Sequence, residues 1–412
     1  MAQIIVNRTT SHASTETMLG RDVSSELLYK FPIAAPLMTF FDMVAAKTKL
    51  VTSQLKYEWP ETDFVAQWTS NGGTQLPGFA TATLATVVDG TMFVVGDLFA
   101  FPNAINSAVK PEICQVVAKP STNELYLKRG VGSTTIVTVA ADASIALLGP
   151  AYEEGSSQPS SKMVARVMKS NYIQIFRTPF GFTEEAAVVE NFAAPGGQFE
   201  QEKAAKGKEH LIAINRAFLF GTASEDLTGG LTGNPIRTTG GLNSVITTNV
   251  VDGSTTLTEA KMREFCRTVV NAAGGSESKI LLVAPIYADA LDYWATSKLQ
   301  MKISENKYGL KVRELEMGGG HFMVITDISL KDGVAAKNGM SGWAFAVDPD
   351  HVKMRYLKGS SAAPDGNTKY DEYTRKEKAG TFAITGEYTS KVGLQVSMET
   401  LHGKIYNVSA YS

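Results

Sequence analysis

Few residues of this 412-residue chain have the types and spacing that a catalytic site needs. Ser304 and Lys307 fit the S-x-x-K pattern, in which a lysine assists a serine nucleophile, but the companion motifs of that enzyme class are missing. The sequence also lacks a G-x-x-x-x-G-K-[ST] phosphate loop, an H-E-x-x-H zinc motif, a G-x-S-x-G nucleophile elbow and a C-x-x-C pair. So short a match arises easily by chance, and we therefore predict no catalytic residue.

The histidines do not have the spacing of a metal site. They are His12, His210, His321, His351 and His402, and none has a second histidine or cysteine at ligand spacing. His210 falls on the polar side of a long predicted helix, which indicates a histidine exposed to solvent or at a subunit interface. His321 follows Gly318–Gly320, a run that resembles an oxyanion loop, but no serine elbow accompanies it. A loop that enters a strand is the simpler interpretation.

The two cysteines, Cys114 and Cys266, are too few for a disulfide framework and indicate a reducing folding compartment. Cys266 falls on the apolar face of a predicted helix, and Cys114 falls in a predicted strand. Both are expected to be buried and inert, because burial disfavours the reactive thiolate. We predict no metal, cofactor or catalytic site anywhere in the chain.

Composition narrows the class of protein further. Hydrophobic residues make up 44% and charged residues 19%, and the net charge is -2, which argues against dedicated, tight nucleic-acid binding but leaves weak contact with DNA open. The N-terminus lacks the pattern of a secretion signal, and no apolar run is long enough to span a membrane. The 36 glycines and 15 prolines separate many short segments, as in a β-rich chain of two or three domains.

A long helix is predicted over residues 198–221, with a length of about 35 Å. Only its second half has a good apolar face, formed by Ala204, Gly207, Leu211, Ile214 and Phe218. On its polar side Lys203, Lys206 and Lys208 alternate with Glu200, Glu202 and Glu209, which favours a solvated face or a mixed-charge subunit contact over a phosphate site. A helix of this kind resembles a strut more than the wall of a pocket, and it points to a shell subunit.

Residues 84–150 are predicted to be a unit of short strands. The strand-like runs are Met92–Phe101, Ile113–Lys119, Glu124–Gly130, Thr134–Ala140 and Ser144–Gly149. Their even spacing indicates a small β-barrel or sandwich. Because the flanking chain is polar and turn-rich on both sides, we interpret the unit as a β-domain inserted into a long loop. A free-standing N-terminal β-domain is the alternative.

The remaining segments predict a mixture of helices and strands. Residues 1–30 are interpreted as an arm, Pro36–Val51 as a short helix, Tyr57–Asp63 as a segment broken by Pro60, and Asn171–Thr183 as a strand. Residues 352–356 and 392–398 alternate in polarity and predict strands, the second of them a half-buried antiparallel strand.

Residues 242–340 are predicted to form an α/β region. Thr256 and Glu259 fit a capping box. The helix that they open would bury one face, formed by Met262, Phe265, Cys266, Val269, Val270 and Ala273. A buried strand is expected at Lys279–Ala284, a helix from Pro285 through Trp294, and further strands at His321–Leu330 and Gly342–Val347.

Six strings in this order resemble one known family. They are YEWPETD (57–63), KRGVGSTT (128–135), EEGSSQP (153–159), NYIQIFRTPFGFT (171–183), HLIAINRAFLFG (210–221) and RTTGGL (237–242). The set resembles the tailed-bacteriophage major capsid proteins with the Hong Kong 97-type fold, and more narrowly the branch with a β-rich insertion in the extended loop. The resemblance implies an α+β fold.

The resemblance also implies a division of the chain. It comprises an N-terminal arm (1–50), an extended loop (51–175) that contains the β-rich insertion domain (84–150), a peripheral domain (176–240) with the spine helix (198–221), an axial α/β domain (241–340), and the C-terminal strands of the peripheral domain (341–412).

The function that this resemblance implies is structural, with no enzymatic activity. The chain is expected to assemble with copies of itself, as hexamers and pentamers, into an icosahedral or prolate head that encloses double-stranded DNA. Scaffolding, portal and decoration proteins are further expected partners, contact with packaged DNA is non-specific, and no membrane is involved. The expected location is the virion, after assembly in the cytoplasm of the host bacterium.

Some members of this fold link neighbouring subunits by a lysine–asparagine isopeptide bond that a buried glutamate promotes. No motif here identifies those residues. Lys162, near Asn171, is a candidate for such a pair, but without a motif we predict a non-covalent shell.

Three alternatives remain open at this stage. An encapsulin-like compartment would have the same fold, although the insertion disfavours it. A β-rich tail protein or adhesin would need a tryptophan-rich sugar site, whereas Trp59, Trp68, Trp294 and Trp343 are dispersed. An α/β enzyme confined to residues 242–340 would need a nucleophile or metal set, and the sequence does not show one.

Overall fold

Two compact units make up the chain, one of residues Pro60–Lys169 and one of all the rest. The computed structural model describes residues 35–43, 48–80, 83–101, 111–183, 198–271, 275–298, 302–303, 312–327, 330, 340–358, 372–377 and 383–412. The predicted arm (1–30), His12, Ala273 and the Ser304–Lys307 match lie outside the described residues. Helices and strands occur together in the larger unit, which confirms the predicted α+β class.

The elements before residue 198 are mainly strands. They are α1 (Pro36–Met43), β1 (Lys49–Thr52), β2 (Lys56–Glu61), β3 (Trp68–Ser70), β4 (Leu84–Thr86), β5 (Asp97–Phe101), β6 (Glu112–Ala118), β7 (Glu124–Lys128), β8 (Ser144–Pro150), β9 (Val167–Tyr172) and β10 (Gln174–Thr183).

The elements from residue 198 onward are mixed. They are α2 (Gln198–Phe220), β11 (Ser224–Asp226), β12 (Ile236–Thr238), α3 (Leu242–Val245), β13 (Val250–Leu257), α4 (Glu259–Val270), β14 (Ser278–Val283), α5 (Pro285–Lys298), β15 (Lys302–Ile303), β16 (Val312–Met317), β17 (Gly320–Thr326), β18 (Ala344–Val347), β19 (Val352–Leu357), β20 (Glu372–Glu377), β21 (Ala383–Val396) and β22 (Gly403–Tyr411).

The long helix α2 lies on a five-stranded sheet of order β1-β19-β21-β10, with β20 paired to β21. The strand β21 is antiparallel to β10 from Gln174↔Val392 to Thr183↔Ala383. Alternation along β10 buries Phe176 and Phe180 and leaves Ile175 exposed. The predicted apolar face of the helix is confirmed at Ile214 and Phe218, which are fully buried. It is wrong at Ala204, which is exposed, and the first half of the helix also makes an apolar contact, between the rings of Phe199 and Phe180.

The end of α2 requires a glycine. The N–H of Gly221 donates to the carbonyl of Ala217. A Cβ at Gly221 would lie 2.4 Å from the carbonyl oxygen of Ala217 and 2.5 Å from that of Thr239, closer than a side-chain carbon can approach. The helix therefore ends here, and the chain turns into the short hairpin of β11 and β12.

The strand β21 is more buried than its alternating sequence predicts. Val392, Leu394 and Val396 are buried on the helix side, but Gly393 and Gln395 are buried as well. The reason is local, since the ring of Tyr57 covers the opposite face and its hydroxyl oxygen would lie 2.7 Å from a Cβ at Gly393. The prediction of a half-buried strand is therefore wrong for this segment.

A seven-stranded sheet of order β13-β22-β18-β14-β17-β16-β15 is the second large sheet of the larger unit. Its central strand β14 is buried from Lys279 to Val283, and α5 begins at Pro285, as predicted. The capping box at Thr256 is wrong, because Thr256 belongs to β13. The N-cap is Thr258, whose hydroxyl oxygen accepts from the N–H of Lys261 at 3.3 Å. The predicted buried face of α4 is confirmed for Met262, Phe265, Cys266 and Val269.

The smaller unit is built on a six-stranded antiparallel sheet of order β3-β8-β5-β6-β7-β4. An isolated bridge between Asn71 and Val87 connects the segments that follow the two edge strands. Phe99 is central to the core, with its ring 5.4 Å from that of Phe93 and 5.3 Å from that of Phe101. The predicted strand at residues 134–140 is wrong, because only a single bridge at Val139 forms there.

The strand β2 corrects one further prediction. Pro60 does not break the segment, because β2 continues through it to Glu61. Within the described residues β2 pairs only with β9, so one of its edges has no strand beside it. A proline is tolerated on such an edge, where its missing N–H removes no ladder hydrogen bond.

Candidate assembly surfaces and buried polar sites

His210 is buried, which contradicts the prediction of a solvated or interface histidine. It is 1% exposed, and its Nδ1 and Nε2 lie 2.9 Å from Thr178 Oγ1 and 2.7 Å from Ser390 Oγ. Burial lowers the pKa of this imidazole. The ring therefore acts as a polar clamp that connects α2 to the two strands beneath it, β10 and β21.

Three charged residues of α2 form ion pairs at the surface. Lys206 Nζ lies 2.7 Å from Glu209 and 3.9 Å from Glu202, and these side chains are between a quarter and a little over half exposed. Exposed pairs of this kind contribute only about 0–1 kcal/mol each. The arrangement agrees with a solvated mixed-charge face and offers no phosphate site.

His321 and the two cysteines lie in a strand and in the core, respectively. His321 lies in β17 after a turn in which Gly318 and Gly319 have positive φ, so this is a turn that enters a strand. Cys114 and Cys266 are both buried. Burial raises the pKa of the Cys266 thiol to about 12, and burial together with the nearby Glu112 carboxylate raises that of Cys114. Both thiols are therefore unreactive near neutral pH.

Asn171 and Lys162 each have partners within the chain. Asn171 is 3% exposed, and its side-chain amide donates to the carbonyls of Gly240 and Leu394. Lys162 pairs with the buried carboxylate of Asp97 at 2.5 Å. An isopeptide bond at Asn171 would break two buried hydrogen bonds, so the structure gives no support to this pair.

A buried polar network, which the sequence prediction missed, joins the two sheets of the larger unit. Lys279 Nζ donates to Asp348 Oδ2 at 2.8 Å and to the carbonyl of Leu401 at 3.2 Å, and both charged side chains are at most 1% exposed. Asp348 lies in the turn between β18 and β19, whereas His402 lies between β21 and β22. The sequence feature that could have indicated this buried charge is the lysine at the start of the apolar run KILLVA.

His402 connects the two chain segments that pass between the sheets, namely the turn between β18 and β19 and the segment between β21 and β22. Its Nδ1 accepts from the backbone N–H of Asp348 at 3.1 Å, and its Nε2 lies 3.1 Å from the carbonyl oxygen of Ser397. Because Nδ1 is an acceptor, the neutral ring carries its proton on Nε2. Protonation of Nδ1 would break the bond to Asp348. Burial, the largest cause, lowers the pKa of His402 to about 4.

This histidine predicts a loss of stability in acid. The unfolded imidazole has a pKa near 6.5, above that of the folded state, so the unfolded chain binds more protons as the pH falls from about 7 to about 4. A pKa shift from about 6.5 to about 4 corresponds to roughly 3 kcal/mol of unfolding free energy, which is lost as the pH falls from about 6.5 to about 4.

The measurement is urea unfolding of the free subunit between pH 7 and pH 4.5, for the native chain and for His402→Gln. The unfolding free energy of the native chain should fall more steeply as the pH is lowered. The difference in slope should correspond to at most one additional proton bound on unfolding. His210 titrates in the same direction in both chains and cancels in the comparison. Equal slopes for the two chains would contradict the assignment.

A second buried ion pair lies in the smaller unit. Arg129 donates to both carboxylate oxygens of Glu112, at 2.8 and 2.6 Å, and both side chains have no exposure. Arg129 also donates to the carbonyls of Pro77 and Val137, and Glu112 accepts from the N–H of Val137 at 3.0 Å. The pair thus connects β6, β7 and two loops at one point.

Several large apolar side chains are exposed on extended segments. Met163 is 89% exposed and Met168 58%, and residues 167–170 of β9 are exposed on both faces of the strand. In the hairpin of β11 and β12, Leu227 is 63% exposed and Leu231 is fully exposed. Burial of such side chains against a partner would be favourable, so these segments are candidate assembly surfaces.

Neither a metal-ligand cluster nor a membrane-spanning helix occurs among the described residues. Within them, no group of three or more His, Cys, Asp or Glu side chains is placed to hold a metal ion. Among the described helices, none is both long and apolar enough to cross a membrane.

Comparison with known proteins gives a family match over nearly the whole length. A family model described as SU10 major capsid protein matches residues 5–409. The major capsid protein of Pseudomonas phage PaMx41 is 24% identical over 297 residues, which cover 69% of this chain and 67% of that protein.

Two solved structures are similar at lower identity. The cyanophage P-SCSP1u capsid has 8% identity and a TM-score of 0.48 and covers 98% of this chain and 100% of that chain. The structure from Gordonia phage Cozz has 10% identity and a TM-score of 0.48, and the match covers 100% of both chains.

The family match defines the class of protein, which is a viral capsid protein. The chain belongs to the SU10 major capsid protein family. Its function as a phage major capsid protein, predicted from the ordered sequence strings, is confirmed, and the family supports that function over the encapsulin-like and adhesin alternatives.

Proposed function

We propose that this chain assembles with copies of itself into an icosahedral or prolate head that encloses double-stranded DNA and is held together by non-covalent contacts. The observation that carries the proposal is the exposure of apolar residues on extended segments of a capsid-family chain, above all Met163 and Met168. Burying such a side chain stabilises a complex by roughly 1.5–3 kcal/mol. The contacts of a shell would bury them.

The Hong Kong 97-type arrangement supplies the roles of the parts. Residues 1–50 are the N-terminal arm, 51–175 the extended loop with its inserted domain at 84–150, 176–240 and 341–412 the peripheral domain, and 241–340 the axial domain. The long helix α2 beside the sheet of β10 and β21 supports the assignment of a spine helix. The bridge between Asn71 and Val87 supports a small β-barrel as the form of the inserted domain.

In this proposal the subunits form hexamers and pentamers, and the chain has no enzymatic activity. The head locates the protein in the virion, after assembly in the cytoplasm of the host bacterium. Scaffolding, portal and decoration proteins are partners by the same resemblance. The net charge of -2 supports weak, non-specific contact with packaged DNA, because a strongly basic wall would bind DNA tightly and impede its movement.

Non-covalent assembly is supported by the surroundings of Asn171, whose amide is used within the fold. The experiment is to express the chain, examine the product by negative-stain electron microscopy, and then heat the particles in denaturant before electrophoresis. We expect closed hollow particles that separate completely into single chains. Covalently linked chains from intact particles would contradict the non-covalent part of the proposal.

A further inference from the structure

We propose that the hairpin of β11 and β12 is an inter-subunit plug, whose apolar tip binds the helix-free face of β10 in a second copy of this chain. The inference deepens the proposed shell assembly and rests on it. Its basis is a pair of unlike surfaces on one protomer, one apolar and acidic and the other apolar and basic.

The hairpin is ordered by its own contacts. Arg237 pairs with Glu225 across the two strands at 2.6 Å. Asp226 Oδ1 accepts from the N–H of Thr228 at 3.0 Å, and the N–H of Gly230 donates to the carbonyl of Asn234 at 3.0 Å. A preformed loop loses little conformational freedom when it binds, which favours its use as a contact element.

The tip of this ordered hairpin is apolar. Leu227, Leu231 and Ile236 are each at least half exposed, and Leu231 is fully exposed. The base of the hairpin is anchored beside the end of α2, where Thr238 Oγ1 donates to the carbonyl of Thr222 at 2.6 Å. Burial of these side chains against a partner surface would be favourable, because it removes apolar surface from water.

The receiving surface on β10 is also apolar. Ile175 is 56% exposed on the face of β10 opposite α2, two residues from Ile173, which is buried in a small cluster with Tyr57 and Trp59. Leu55 lies beside this cluster, because its backbone carbonyl accepts a hydrogen bond from the N–H of Ile173. Leu55 itself is 37% exposed. Apolar surface therefore continues outward from a buried cluster to Ile175.

The charges of the two surfaces are complementary. In the hairpin Arg237 neutralises Glu225, so Asp226 supplies the remaining negative charge next to Leu227. On β10 and β21 Glu387 neutralises Arg177, and Lys391, directly opposite Ile175 in the register, supplies a positive charge. Complementary charges at the rim of an apolar contact set its register and exclude wrong partners.

A second copy is the occupant that this arrangement favours. A ring of identical subunits needs two unlike surfaces on each protomer, one for each neighbour. The base of the hairpin also lies close to the receiving surface of the same protomer. The N–H of Thr239, just after β12, donates to the side chain of Gln174, which precedes Ile175. A contact between successive copies around a common axis then uses both surfaces of every copy.

The decisive experiment is cross-linking of assembled shells that carry Leu231→Cys and Ile175→Cys together. The two native cysteines are buried and give little background. A short bis-maleimide should produce a ladder of dimers and larger oligomers in denaturing electrophoresis, because each copy would be linked on both sides. Leu231→Cys alone should remain monomeric. Only monomers from the double variant, or dimers from Leu231→Cys alone, would overturn the proposal.

Assembly itself provides the second readout. Leu231→Ser should raise the protein concentration needed for shell formation roughly tenfold or more, since each subunit loses one buried leucine. Thr232→Ser is the matched control in the same hairpin, because it keeps the hydroxyl that accepts from Asn234 at 2.9 Å. Equal thresholds for Leu231→Ser and Thr232→Ser would contradict the plug. Failure of the native chain to form shells would instead contradict the proposed function.

Discussion

Arg129→Ala should lower the unfolding free energy of the smaller unit by about 3–5 kcal/mol, because it leaves the Glu112 carboxylate buried without its cation. The loss has two parts. The carboxylate keeps only the N–H of Val137 and the weak thiol donor of Cys114, and the carbonyls of Pro77 and Val137 lose a donor. Hydrogen exchange of the full chain measures the effect locally, as a loss of amide protection in β6 and β7.

The matched control is Arg166→Ala, which removes an exposed arginine from the same unit and should change exchange little. A double variant, Arg129→Met with Glu112→Leu, should recover part of the loss, because replacing both partners by apolar groups leaves no unpaired charge. Recovery stays partial, since the N–H of Val137 then has no acceptor. Protection in Arg129→Ala equal to that in Arg166→Ala would refute the importance of this pair.

Lys279→Met should destabilise the larger unit by about 3–5 kcal/mol for the same physical reason. Asp348 would keep the N–H groups of Ser276 and Asp350 but lose the ammonium that compensates its charge. Burial alone would raise the pKa of Asp348, yet Lys279 and these amides outweigh it and hold the pKa below its usual range. In the variant that pKa should rise, so the destabilisation should be larger at pH 7 than at pH 4.

Urea unfolding of the free subunit at both pH values is the measurement, with Lys353→Met as the control from a half-buried lysine of β19. Asp348→Asn tests the pair from its other side and should also be destabilising, since it leaves a buried lysine unpaired. A loss below about 1 kcal/mol for both variants would show that the pair behaves like an exposed one.

Regular patterns in the sequence were enough to predict much of the fold. The repeat that ends in Leu211, Ile214 and Phe218 identifies α2, and the face formed by Met262, Phe265 and Cys266 identifies α4. Both signals are long and periodic, and burial of one face dominates their energetics. Single turns were harder, because Thr256 and Thr258 both suit an N-cap and only the end of β13 decides between them.

The buried polar contacts could not be predicted in this way. His210 lies on the side of α2 that the apolar pattern marks as polar, yet the sheet below offers it Thr178 and Ser390. Arg129 and Glu112 are neighbours only because β6 and β7 pair. Partners of this kind depend on register and on distant chain segments, which a single sequence does not contain.

The central claim is that this chain builds a closed shell from copies of itself, and imaging of the expressed chain tests it most directly. Negative-stain microscopy of the purified protein, expressed without other phage proteins, should show hollow particles of uniform size, tens of nanometres across. A compact single molecule in solution at every concentration tested would contradict the claim.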